Sequence, residues 1–129
     1  MTKKTFIIKG KVFSGKSEAA RFLELAWVRS QIASKVGFTP FSGTLNLKIP
    51  EENITRKLLE EHNPSCIQPS EGYCRAKCLK ARVGTVKCAI IVPEIASYPS
   101  DMLEIIAPVN LREKLSLKDG DTLEVKVTS

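Results

Sequence analysis

Apolar and polar positions alternate from Thr5 to Phe13, and the β-branched residues there predict a strand, with Gly10 marking a bulge or a close approach of another backbone. Ser14, Gly15, Lys16 and Ser17 form the loop that follows. From Glu18 to Val36 the apolar residues Phe22, Leu25, Trp27, Val28, Ile32 and Val36 fit a helix in the second half, while Phe22 and Leu25 suit helix and extended chain equally. Gly37 is a helix stop, and Thr39-Pro40 forces an extended or turned backbone before Phe41. Thr44 to Ile49 alternates again, with Leu45, Leu47 and Ile49 on one face and Thr44, Asn46 and Lys48 on the other.

Further along, Glu51 to Glu61 reads as a short charged helix around Ile54, Leu58 and Leu59, and Pro64 to Gly72 as a loop. Tyr73 to Val83 and Val86 to Val92 are two strands joined by a hairpin turn at Gly84-Thr85. A polar stretch from Pro93 to Pro99 leads to another strand, Met102 to Ile106. Asn110 caps a helical turn from Leu111 to Leu115, and Lys118 to Asp121 turns the chain into a last strand, Leu123 to Val127. Short strands dominate. The pattern predicts a mainly β (α+β) fold with two or three short helices, its six or so strands closed into a small barrel that removes exposed edges.

Composition bounds the picture without changing it. With 129 residues, 43% hydrophobic and 26% charged, the chain is expected to be one domain spanning residues 1–129, able to build a core without disulfide or metal staples. Its longest uninterrupted apolar run, Cys88 to Val92, is far short of the roughly 20 residues of a membrane helix. The short apolar stretch after the first lysines is likewise too brief for a secretory signal, so a cytoplasmic setting is expected. There the four cysteines stay reduced and serve as buried structural residues. Cys74 and Cys78 are separated by three intervening residues, not the two of zinc-ribbon spacing. His62, among Glu60, Glu61 and Asn63, reads as a surface residue.

Charge is uneven. Residues 1–50 carry nine Lys/Arg against Glu18 and Glu24, whereas residues 51–129 carry eleven against twelve acids. A basic half attracts polyanions or nucleoside triphosphates. No basic stretch is interleaved with aromatics as single-strand stacking requires, which argues against nucleic acid.

Three segments together carry a family resemblance: Gly10-Lys-Val-Phe-Ser-Gly15, Gly37-Phe-Thr-Pro-Phe-Ser-Gly-Thr-Leu-Asn46, and Glu104-Ile-Ile-Ala-Pro-Val-Asn-Leu-Arg112 with Leu117-Lys-Asp-Gly-Asp121. Nearly end to end, the chain resembles the archaeal-type CTP-dependent riboflavin kinase family, which implies a six-stranded cradle-loop β-barrel. The resemblance implies CTP and riboflavin as substrates, FMN and CDP as products, and Mg²⁺ held by Thr44 and Asn46. A hydroxyl and an amide carbonyl on one strand face are hard oxygen donors, as Mg²⁺ requires.

The resemblance also implies a nucleotide loop at Gly15, Lys16, Ser17, Glu18, Ala19 and Ala20, and a second nucleotide segment at Val109, Asn110, Leu111 and Arg112. Ser17 and Ala19 stand where the family has its second and third loop glycines. Glu104 falls on the family's flavin-contacting glutamate, which orients the ribityl hydroxyl or takes its proton. The family's flavin-contacting threonine falls on Ala96, with Ser97 next to it as the hydroxyl that substitutes. Two other functions stay open: an AbrB-type swapped-hairpin DNA-binding barrel, which the pattern from Leu111 to Val125 also resembles, and a kinase of the same fold with a different acceptor.

Overall fold

A computed structural model describes the chain except for residues 1–4, 16–17, 52–53, 71, 73, 95–97 and 129. In chain order the elements are β1 (Thr5–Phe13), α1 (Glu18–Glu24), α2 (Ala26–Lys35), β2 (Leu45–Lys48), α3 (Ile54–Glu61), β3 (Ser65–Ile67), β4 (Ala76–Val83), β5 (Val86–Pro93), β6 (Met102–Ile106), α4 (Leu111–Lys114) and β7 (Thr122–Thr128). The sheet runs β3-β4-β5-β6-β2-β1-β7, all antiparallel, and β7 returns to pair with β4. Six strands thus close a barrel, and β3 extends the sheet beside β4.

Alternation along each strand decides what fills the barrel. Ile8, Val12, Leu45, Leu47, Leu79, Ala81, Val83, Cys88, Ile90, Leu103, Ile105, Val125 and Val127 point inward and form the main core, to which α3 adds Ile54 and Leu58. A second apolar layer lies outside the barrel wall. There Leu23, Val28, Ile32 and Val36 of the α1–α2 segment cover Ala76, Cys78, Ala89, Ile91 and Ile106. β5 is buried on both faces as a result, which is why Cys88 to Val92 reads as an unbroken apolar run.

Local chemistry explains the connections. Gly84 takes φ +59° at the first position of the two-residue loop between the paired Val83 and Val86, as a type II′ hairpin demands. Gly10 is a point of close approach rather than a bulge: its pairing with Leu123 continues the β1–β7 ladder, and a Cβ there would lie 3.0 Å from the Lys48 carbonyl oxygen. The segment after residue 18 is helical in both halves, broken at Leu25, whose extended backbone (ψ 130°) starts α2.

Two expectations are corrected. Pro64 to Gly72 is not all loop, because Ser65–Ile67 pairs with Ala76–Cys78 and buries Ile67 under α2. His62 is buried at 5% exposure instead of lying on the surface. It follows Ile54 and Leu58 at four-residue spacing, so it falls on the apolar face of α3, where its ring meets Phe6 edge-on at 6.2 Å.

Candidate functional site

The alternation that sends Leu45 and Leu47 inward turns Asn46 to the outer face of the barrel wall. There it forms part of a row crossing four strands: Phe13 of β1, Asn46 of β2, Glu104 of β6 and Ile91 of β5 are directly opposite one another in turn. Asn46 is only 9% exposed, so its amide is a buried polar group set into an apolar wall. The Thr44 hydroxyl donates to Asn46 Oδ1 at 3.2 Å, which brings the two predicted metal ligands together. Gly15 packs against the same amide so closely that a Cβ would stand 2.3 Å from Asn46 Nδ2. The loop after β1 therefore reaches the β2 strip through a residue with no side chain.

Glu104 lies between the inward Leu103 and Ile105, facing Asn46 across the β2–β6 ladder. The Tyr98 phenol, half-buried against the core, donates to Glu104 Oε1 at 3.1 Å. Burial first, and the neighbouring carboxylate second, push the ionisation of Tyr98 far above the ordinary phenol range, so it stays a neutral donor.

A cleft of about 170 Å³ opens next to Thr44, lined by Phe41, Gly43, Thr44 and the inward-facing Leu45 on one side and by the inward-facing Ile105, Ala107 and Val109–Arg112 on the other, with Asn46 and Glu104 behind its wall rather than in its lining. The two walls are fastened where Phe41 N–H donates to the Ala107 carbonyl at 2.7 Å. Phe41 and Val109 present exposed apolar surface, suited to a flat ring or a ribose. Asn110 caps α4, its Oδ1 accepting from Glu113 N–H at 3.3 Å. Leu111 is 4% exposed and anchors this wall in the core, leaving its backbone for any ligand contact. Arg112 is held by Asp119 Oδ1 at 2.6 Å, and Ser14 Oγ donates to both Asp119 oxygens at 3.0 Å. The Arg112 guanidinium, then the Ser14 hydroxyl, keep the Asp119 carboxyl below its usual range.

The structure thus gathers Gly15, Thr44, Asn46, Glu104 and the Val109–Arg112 segment onto one side of the barrel. Glu18, Ala19 and Ala20 open α1, and Ala20 is not among the residues lining the cleft. Lys16, Ser17 and Ser97 lie outside the described residues. Among the described residues no group of three or more His, Cys, Asp or Glu side chains is placed to hold a metal, so metal binding at this site would rest on Thr44 and Asn46. Sequence reasoning missed Phe41, Gly43 and Ala107 as cleft walls, although all three stand inside or beside the segments that carry the resemblance. It also missed Tyr98, which lies in a loop with no periodicity to mark it.

Comparison with known proteins places these residues in a wider set. The CTP-dependent riboflavin kinase family model, described as a domain of unknown function (DUF120), matches residues 12–127. The riboflavin kinase of Archaeoglobus fulgidus is 41% identical over 128 residues, 95% of this chain and 55% of that protein. Those of Pyrobaculum aerophilum and Methanocella arvoryzae are 39% and 40% identical, each over 92% of this chain and 59% and 56% of theirs. The chain therefore spans a little over half the length of these curated relatives. Among the described residues no helix is long and apolar enough to cross a membrane.

Proposed function

Because the chain belongs to the CTP-dependent riboflavin kinase family, we propose that it moves the γ-phosphoryl of CTP to the 5′-hydroxyl of riboflavin, giving FMN and CDP. The observation that carries this reading is the meeting of Thr44, Asn46 and Glu104 on one strip of wall beside the cleft that Val109–Arg112 lines. Phosphoryl transfer asks little covalent chemistry of a protein; it asks for positioning and for charge in the right place. The nucleotide lies against Gly15 and the Val109–Arg112 backbone, with Arg112 as a cation for its phosphates. Riboflavin places its ribityl chain against Glu104, whose carboxylate orients the hydroxyl and accepts its proton. The hydroxyl oxygen attacks the γ-phosphorus, the bond from that phosphorus to the bridging oxygen breaks, and CDP leaves with the electron pair.

The donor set suits Mg²⁺. Thr44 Oγ1 and Asn46 Oδ1 stand 3.2 Å apart, close to the roughly 3 Å between neighbouring oxygens around an ion with bonds of about 2.1 Å. Both oxygens are neutral, which leaves the ion's charge for phosphate oxygens. When bound, the ion supplies charge neutralisation on the transferring group. The reading takes residues 1–129 as a single domain working in the cytoplasm, where its thiols stay reduced.

The test incubates the purified chain with riboflavin, Mg²⁺ and each of the four nucleoside triphosphates and follows FMN. FMN from CTP is expected, and Asn46→Ala should lower its rate by about a hundredfold, the scale of losing one charge-stabilising contact. No FMN from any nucleotide, together with duplex DNA binding that falls steeply with salt, would instead favour the DNA-binding barrel.

A further inference from the structure

Glu104 has a built-in partner that the reaction as stated does not use. Its Oε1 accepts a hydrogen bond at 3.1 Å from the Tyr98 phenol, a residue of the β5–β6 connection that packs against the main core. The bond joins a neutral donor to a carboxylate, a charge-assisted kind that is stronger than a neutral pair. Glu104 itself is directly opposite Asn46 on β2 and Ile91 on β5, so the strand register sets it next to a candidate metal ligand.

A glutamate has three side-chain torsions, two that choose among staggered states and a last one that is broad, so a carboxylate on such a stem has many orientations and considerable freedom of its own. Fixing one of its oxygens to a ring anchored in the core removes most of that freedom. We propose that Tyr98 is a positioning residue for phosphoryl transfer, setting the rotation of the Glu104 carboxylate toward the acceptor alcohol. This rests on the kinase reading and on the acceptor role given there to Glu104. Tyr98 takes no proton and touches no reacting atom. Because burial and the adjacent carboxylate both resist its ionisation, it remains a donor throughout the working pH range. Misplacing a reacting or orienting group by about 1 Å costs on the order of a hundredfold in rate, which sets the upper scale of the effect.

Tyr98→Phe keeps the ring and deletes only the hydroxyl. In an active parent it should lower kcat for FMN formation by about tenfold or more, with KM for CTP unchanged. A double-mutant cycle supplies the readout that a merely structural role would not move. In the Glu104→Gln background, where the accepting carboxylate is already gone, Tyr98→Phe should cost less than about threefold. An active parent whose Tyr98→Phe variant keeps its kcat, or loses the same factor in both backgrounds, overturns the positioning role alone. A parent that makes no FMN overturns the kinase reading and this inference with it. If Tyr98→Phe does not fold, the tyrosine Raman doublet of the parent at neutral pH decides: Glu104→Gln must shift it toward a weaker hydrogen-bond donor, and an unmoved doublet rejects the bond between the phenol and the carboxylate.

Discussion

Gly15 is the residue on which the candidate site is most sensitively balanced. A methyl group there would meet Asn46 Nδ2 at 2.3 Å, an impossible contact, but one made with the tip of a side chain rather than with backbone. Gly15→Ala should therefore swing the amide away while leaving the melting temperature within a few degrees, and lower kcat by about a hundredfold. A variant with parental kcat in a steady-state assay shows that Asn46 does not need its present place. The cysteines give a pH prediction. Burial pushes the Cys78 and Cys88 thiols up to about 12 from an ordinary value near 9. Above pH 9 the unfolded chain loses these protons before the folded one does, so stability falls between pH 9 and 12. Thermal melts across that range should show a shallower fall in a Cys78→Ala, Cys88→Ala variant. At this scale Thr44 and Asn46 were legible, because a period of two puts them on one face. Arg112 was legible as a cation but not as a bound one. Its partner Asp119 and the Ser14 hydroxyl meet across 105 residues of chain, and no local pattern reports that.

The α1–α2 segment shows how an element acquires a role from what lies beneath it. Its apolar residues do not line one clean stripe, and the sequence left the first half open between helix and strand. Packing resolves this: Leu23, Val28 and Ile32 are completely buried over the outer face of β5. Arg29 fastens the segment from the other side, its guanidinium donating to the Pro40 carbonyl at 3.1 Å just before the cleft wall at Phe41. Ile32→Ala should destabilise the chain by about 2–5 kcal/mol, the range for truncating a large buried aliphatic residue. A denaturant midpoint shift equivalent to less than about 1 kcal/mol would mean that the layer is not cooperative with the barrel. The hairpin of β4 and β5 was legible because its turn chemistry and its alternation agree. β3 was not, since three residues between prolines carry too little pattern, and its existence depends on β4 offering an edge and α2 offering a cover. His62 was misread by its charged neighbours in sequence, when the four-residue spacing from Leu58 was the better guide.

At the scale of the whole molecule the closed barrel redistributes charge that the sequence divides into halves. Lys126 of β7 stands directly opposite Arg82 of β4, and Arg82 directly opposite Lys87 of β5, on the outer wall. None of the three makes an ion pair among the described residues. Directly opposed like charges cost stability, so Arg82→Glu should stabilise the fold by roughly 0.2–1 kcal/mol per relieved pair, more at low salt than at high. Denaturant midpoints at two ionic strengths check both the sign and the salt trend. That a barrel forms was legible from strand number and the need to hide edges, whereas which strands meet at the seam was not, because pairing between β4 and β7 has no local signature. The seam also has a consequence for how the protein is made. β7 is the last of the seven strands to be synthesised, yet it pairs with β1 over seven residues and completes the wall at β4. A nascent chain that has emerged from the ribosome only to residue 121 presents both of those strands as open edges, each able to take a strand from a neighbouring polypeptide. The interval before β7 arrives is therefore when this protein most needs to be kept apart from its own copies.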